Sequence, residues 1–119
     1  MSESYNRGVS GEQTAATYLK SNGYKILTQN YRYQKAEVDI IAQKEGWLIA
    51  VEVKTRSTSA FGPPQEFLKP AQIQRIIIAV DHYVVSHKLD LEVRFDIIAI
   101  VTSKNSSKIE HIENAFYYF

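Results

Sequence analysis

Glu52 and Lys54 stand inside the apolar run Leu48-Ile49-Ala50-Val51-Glu52-Val53-Lys54, a strand pattern that does not ordinarily carry two opposite charges. Period-2 alternation puts both charged side chains on one face, with Val51 and Val53 on the other. Upstream, Glu37-Val38-Asp39-Ile40-Ile41-Ala42 repeats the pattern, and the link Gln43-Lys44-Glu45-Gly46 suits a hairpin that lets Asp39 face Glu52 and Lys54. An Asp, a Glu and a Lys converging on one sheet are the parts of a magnesium-dependent phosphodiester-cleaving site.

The chemistry explains the choice of residues. Mg2+ prefers oxygen ligands and keeps several waters, so two carboxylates, a backbone carbonyl and a substrate phosphate suffice to hold it. Asp39 and Glu52 supply that minimum, with Mn2+ as a substitute ion, and Lys54 can orient a metal-bound water and stabilise charge developing on phosphorus. The competing structural reading is a buried salt bridge between Lys54 and a carboxylate. Desolvation offsets much of such a pair's attraction, and one lysine cannot balance three or four acids. The excess of acids favours the metal site.

The elements that must position these residues follow from pattern. Ser10 to Ser21 reads as a helix with Ser10 as N-cap and Ala15, Ala16, Tyr18 and Leu19 on its buried stripe, ended by Asn22-Gly23. Tyr24 to Tyr33 reads as a first strand, so three consecutive antiparallel strands are expected. The stretch Thr55 to Pro64 has loop chemistry beside the charged strand. Pro70 to His87 carries Ile73, Ile76, Ile77, Val80 and Val84 at helical spacing, Leu91 to Val101 gives a later strand, and Ile109 to Ile112 a short last one. A strand following a long helix implies a parallel crossover, so the expected class is α/β, a central mixed β-sheet flanked by α-helices.

Bulk properties bound the rest. A chain of 119 residues is read as one domain, 1–119. The absence of cysteine excludes disulfides and thiolate metal sites and fits a reducing compartment. No signal peptide or membrane-length apolar run is seen, so the expectation is a cytoplasmic protein with no membrane partner. The formal net charge of +1 lacks the global basic signature of many nucleic-acid binders, which leaves local clusters to supply any phosphate-binding face.

Gly11-Glu12 opening a helix, Asn30-Tyr31-Arg32, Glu37-Val38-Asp39-Ile40-Ile41 and Val51-Glu52-Val53-Lys54-Thr55-Arg56 resemble, in this order, the bacterial YraN-type family of predicted endonucleases. Phe61-Gly62, Arg94-Phe95-Asp96 and the block Ile109 to Phe116 continue the likeness over nearly the whole chain. That family is similar to the PD-(D/E)XK nuclease superfamily and to archaeal Holliday-junction resolvases. The resemblance implies a restriction-endonuclease-like fold, with catalytic roles for Asp39, Glu52, Lys54 and Glu12, and with Asp39, Glu52 and Glu12 as the Mg2+ ligands. It also implies a nucleic-acid partner, DNA of structured or branched form. Ala36 departs from the glycine that usually precedes Glu-x-Asp, and Gln72 from a lysine frequent in relatives.

Other residues carry two readings each. Glu12 is a further metal ligand or an acid placed well in a first helical turn. Glu37 is an outer acid of the site or a solvent-facing strand residue, and Asp96 orients a basic group or caps backbone. Arg32 and Arg56 are candidate phosphate contacts, with Lys69 and Arg75 around the same surface, against the ordinary reading of solvated charges. Gln72 contacts nucleic-acid backbone or faces water. His82, His87 and His111 lack the spacing of a zinc site. Tyr31, Tyr33 and Trp47 can stack on bases, although strand aromatics usually pack on neighbours. The Phe116-Tyr117-Tyr118-Phe119 segment is apolar enough to dock on the sheet or on a second copy of the chain, a homodimer being the second case. A nucleic-acid-binding accessory protein of the same fold that no longer cleaves is the rival function.

Overall fold

The computed structural model describes residues 3–56, 68–102 and 106–116, with side chains from Gly11 onward. In chain order the elements are α1 (Glu3–Ser21), β1 (Lys25–Tyr33), β2 (Ala36–Lys44), β3 (Trp47–Arg56), α2 (Pro70–Ser86), β4 (Glu92–Thr102) and β5 (Ser107–Phe116). The strands form one sheet in the order β1-β2-β3-β4-β5. All neighbours are antiparallel except β3 and β4, which run parallel because the chain crosses back between them through α2. This is the expected mixed sheet with helices on both faces, the architecture of a restriction-endonuclease-like fold.

Each helix seals one face. Ala15, Ala16 and Leu19 of α1 pack on Ile40, Ala42, Ile49, Val51, Ile98 and Ile100. Ile73, Ile76, Ile77, Val80 and Tyr83 of α2 pack on Val38, Ile41, Leu48, Ala50, Phe95 and Ile97. The central strands are therefore apolar on both sides, and alternate residues of β3 and β4 go to opposite cores.

β2 breaks that alternation at Asp39. Val38 belongs to the core under α2, while Ile40, two residues on, belongs to the core under α1. The partners Gln29↔Ile40 and Tyr31↔Val38 place Asn30 of β1 opposite Asp39, and Asn30 has a left-handed backbone with φ 53°. Asparagine tolerates that region better than most residues. At the same place the sheet forks. β2 pairs with β3 only from Lys44↔Trp47 to Ile40↔Val51, yet β2 stays paired with β1 to Ala36, and β3 with β4 to Arg56.

Several boundaries differ from the expectation. α1 begins at Glu3, so Ser10 lies inside the helix and is not its N-cap. Gly8 and Ser10 weaken the helical signal there, and propensities of this size are only a weak guide to where a helix begins. β5 runs from Ser107 to Phe116 rather than from Ile109 to Ile112, because pairing with β4 carries its polar residues. The β2–β3 hairpin is tighter than the four-residue link suggested. Lys44 pairs with Trp47 around Glu45 and Gly46, both at positive φ (52° and 84°), the signature of a primed two-residue turn. Ala36 pairs with Tyr33 and has ordinary φ, so glycine is not required at that position. Phe116 is buried and stacks on Phe95 at 5.0 Å, docking this end of β5 on the sheet. The rest of the aromatic tail, Tyr117 to Phe119, and the segment Ser57 to Pro64 with Phe61-Gly62 lie outside the described residues.

Gly11 of α1 lies directly against Thr55 of β3. A Cβ there would collide with the Thr55 side-chain oxygen. Gly11→Ala should therefore destabilise the protein by about 1–3 kcal/mol through overpacking, although alanine is worth ~1 kcal/mol more than glycine in a helix. Urea unfolding of Gly11→Ala and of Gly11→Ala/Thr55→Ala checks this, because the double variant should recover most of the loss.

Candidate functional site

The fork between β2 and β3 is lined by carboxylic acids. Asp39 turns its Oδ2 to the backbone N–H of Val53 at 2.9 Å, supplying the acceptor that a paired strand would have offered. Asp39 and Glu52 are hydrogen-bonded to each other through their side chains. Glu52 is 8% exposed and accepts a second bond at Oε2 from the Gln72 carboxamide, 3.0 Å away on α2. Burial, then the hydrogen bond and negative charge of Asp39, push Glu52 up to about 9, against the weaker opposing pull of Lys54 and Gln72. Glu52 therefore keeps its proton at neutral pH.

Lys54 forms no ion pair among the described residues, which disagrees with the structural reading of a buried salt bridge to an acid. Its charge acts on Glu52 through space.

Glu12 approaches Asp39 from the α1 side. Burial, then Asp39, raise its pKa; a hydrogen bond from Asn30 opposes them and Glu37 adds to them. Asn30 thus bends β1 opposite Asp39 and also holds Glu12. Read from sequence, Asn30 figures only within the block Asn30-Tyr31-Arg32 and has no role of its own, although an asparagine inside an otherwise strand-like run is the signal that could have found it.

A cleft of about 200 Å³ opens on the α2 face, lined by Lys35, Glu37, Glu52, Gln72, Arg75 and Ile76. Gln72 therefore does not face water: it binds Glu52. Of the expected ring of cations only Arg75 reaches this cleft. Arg32 is engaged with Glu37 at 3.1 Å on the exposed surface. Arg56 folds back onto the Thr55 carbonyl at 3.2 Å, and Lys69 is exposed at the start of α2. Lys35, in the tight turn between β1 and β2, joins the cleft unannounced, since a lone turn lysine carries no sequence signal.

These residues fit a divalent cation in one respect and limit it in another. A protonated Glu52 beside Asp39 is a donor set in which a cation can take the place of that proton. No group of three or more acids or histidines is close enough to share one ion among the described residues, so Glu12 does not complete a three-ligand set with Asp39 and Glu52.

A second polar network lies on the α1 face. Asp96 is completely buried and takes a two-pronged bond from Arg94 (Nε 2.9 Å and a terminal nitrogen 2.8 Å), a bond from His111 Nε2 at 2.7 Å, and the backbone N–H of Asn114 at 3.0 Å. Burial pushes its pKa up, but the bonds from His111, Arg94 and Asn114 outweigh it and hold the carboxyl below its ordinary value. His111 Nδ1 meets the Tyr18 hydroxyl at 3.0 Å, and Arg94 also reaches the Tyr24 hydroxyl (2.9 Å) and Glu113 (3.1 Å). Asp96 thus both orients a basic group and caps backbone, stapling β4 and β5 to α1. His82 and His87 stack on Tyr33 and Tyr83, at 3.7 and 4.0 Å. Tyr31 also binds His82, through its hydroxyl at 2.6 Å, so Tyr31 and Tyr33 pack against α2.

The two networks respond oppositely to pH. An unfolded Glu52 ionises near 4.5 and the folded one near 9, so its contribution to stability is full below pH 4.5 and falls as pH rises towards 9. Glu52→Gln should therefore stabilise the protein at pH 8 by about 1 kcal/mol or more, roughly 4 °C in Tm, and lose that advantage near pH 4.5. Asp96 has a depressed pKa, so its contribution is present above the ordinary carboxylate value and is lost as pH falls through the folded one. Asp96→Asn should cost about 3 kcal/mol at pH 7, because it removes the buried anion that Arg94 and His111 both bind and leaves Arg94 only the exposed Glu113. Thermal melts of both variants between pH 4 and 9 test the two signs together.

The helices among the described residues include none long and apolar enough to cross a membrane. The family model described as "Uncharacterised protein family UPF0102" matches residues 11–100, from the glycine of the α1 contact through most of β4. A UPF0102 protein of Christiangramia forsetii is 59% identical over 119 residues, covering all of both chains. Relatives of the same description from Flavobacterium psychrophilum and Flavobacterium johnsoniae are 54% and 50% identical, again over the full length of each. The residues of the fork, from Glu12 to Gln72, all fall within the matched span, and the chain belongs to the uncharacterised protein family UPF0102.

Proposed function

We propose that this protein is a Mg2+-dependent endonuclease of the PD-(D/E)XK type that hydrolyses phosphodiester bonds in nucleic acid, with structured or branched DNA as its substrate. The observation that carries the reading is the hydrogen-bonded pair of Asp39 and Glu52, held in a forked sheet with Lys54 two residues further along β3. A fold spends stability on a buried acid adjoining a half-buried one only when something other than packing retains them.

The geometry supports a role for each residue. Asp39 and Glu52 would hold the ion, which supplies Lewis-acid activation of the phosphate and of a bound water. The Val53 N–H fixes one Asp39 oxygen, and Gln72 fixes one Glu52 oxygen, so each acid keeps its other oxygen for the ion. Lys54, unpaired among the described residues, is available to stabilise charge on phosphorus. Glu12 raises the negative potential at Asp39 from the opposite side. Mn2+ would serve in place of Mg2+.

The absence of a third clustered acid among the described residues favours a second reading, a nucleic-acid-binding accessory protein of the same fold with weak or no cleavage.

Labelled linear, single-stranded, flap and four-way-junction DNA, with matched RNA, incubated with Mg2+ or Mn2+ separates the two. The endonuclease reading expects metal-dependent product that a chelator abolishes and that Asp39→Asn or Lys54→Ala reduces at least about 100-fold. Salt-dependent binding without product supports the accessory reading. Product that persists unchanged in the purified variants sinks the assignment of the site.

A further inference from the structure

We infer that Lys35 and Arg75 form a clamp for a backbone phosphate of a nucleic-acid strand, which enters between the β1–β2 turn and α2 and lies against the Glu52–Gln72 floor. The inference rests on the nucleic-acid reading above and specifies where the strand is gripped.

Three observations carry it. Both cations line one cleft, Lys35 from the turn and Arg75 from α2, one helical turn beyond Gln72. Neither forms an ion pair among the described residues, although two acids line the same cleft. Those acids are already engaged elsewhere: Glu37 with Arg32 at 3.1 Å, Glu52 with Gln72 at 3.0 Å and with Asp39. Two neighbouring like charges left unneutralised over a polar floor form a site for an anion from outside the chain.

The size of the cleft selects the anion. At about 200 Å³ it is smaller than the ~300–1,000 Å³ of pockets that swallow whole organic ligands. It suits a phosphate group of a chain whose sugar and base remain outside. The guanidinium of Arg75 can meet two phosphate oxygens while Lys35 acts as a point charge. Placed there, the phosphate sits beside Glu52, so one contact both grips the strand and presents it to the carboxyl pair.

The test is binding of a labelled single-stranded oligonucleotide by fluorescence anisotropy, with chelator present so that nothing is cut, across a salt series. Lys35→Gln/Arg75→Gln should weaken binding at least tenfold and reduce the slope of log K against log salt by about 1.4, two contacts at ~0.7 each for a single strand. Lys20→Gln/Lys25→Gln, which removes two positive charges at exposed positions outside this cleft, should leave the slope within error of wild type. Lys35→Arg/Arg75→Lys should retain it, and unchanged melts of all variants confirm that folding is intact. If the Gln double variant behaves like the Lys20/Lys25 control, the clamp is overturned while the endonuclease reading still stands on its cleavage assay. If wild type binds neither this oligonucleotide nor a labelled four-way-junction DNA in the same assay, the clamp and the reading fall together.

Discussion

The parting of β2 from β3 beyond Ile40 and Val51 is the constraint on which the rest of this structure depends. A paired strand would have buried the Val53 N–H in a ladder and left no room for carboxyl groups between the strands. Once the strands separate, that N–H needs another acceptor, and the Asp39 side chain supplies it. The same separation brings Asp39 and Glu52 into hydrogen-bonding contact and lets α2 lower Gln72 onto Glu52. The fork is held open by a local distortion: Asn30 takes a left-handed conformation opposite Asp39, and the side chains of β2 change sides there. Close approach of α1 at Gly11 then sets Glu12 near Asp39.

The two polar networks use buried charge in contrasting ways. Around Asp96 every demand is met: a guanidinium, an imidazole and a backbone N–H all point at one carboxylate, and its pKa falls despite burial. Around Glu52 the demands conflict, with two acids sharing one region, a lysine that pairs with neither, and a pKa pushed up to about 9. The first arrangement ties elements together and has the economy of a structural staple. The second keeps donor oxygens available at a stability cost, the pattern expected where a ligand completes the site. The difference lies in how many donors surround each acid, since both are nearly or fully buried.

Much of the fold was legible in the sequence. The alternation through Glu52, Val53 and Lys54 correctly put the charged pair on one face, because β3 is regular and its partners on both sides are apolar. The hairpin, the helix from Pro70 and the parallel return also follow from local pattern. The errors have physical causes. The weak helical propensities of Gly8 and Ser10 hid the start of α1 at Glu3, and β-pairing carried polar residues into β5 that alternation alone does not mark. The surface cations were misplaced for a different reason. Long flexible side chains find nearby partners, as Arg32 does with Glu37 and Arg56 with the Thr55 carbonyl, and such choices leave no periodic trace.

What the sequence by itself determined is therefore the set of elements and the presence of acids and a lysine where a strand should be apolar. Those are consequences of spacing along one chain, which hydrophobic periodicity reports directly. Only the tertiary structure decided which groups meet: that Gln72 binds Glu52, that Lys35 shares a cleft with Arg75, that Asn30 holds Glu12, and that Asp96 is satisfied by His111 from another strand. Each of these joins residues from different elements, and their approach depends on a sheet that forks and helices that pack within a hydrogen bond's length. Neither condition is encoded in the period of any one segment.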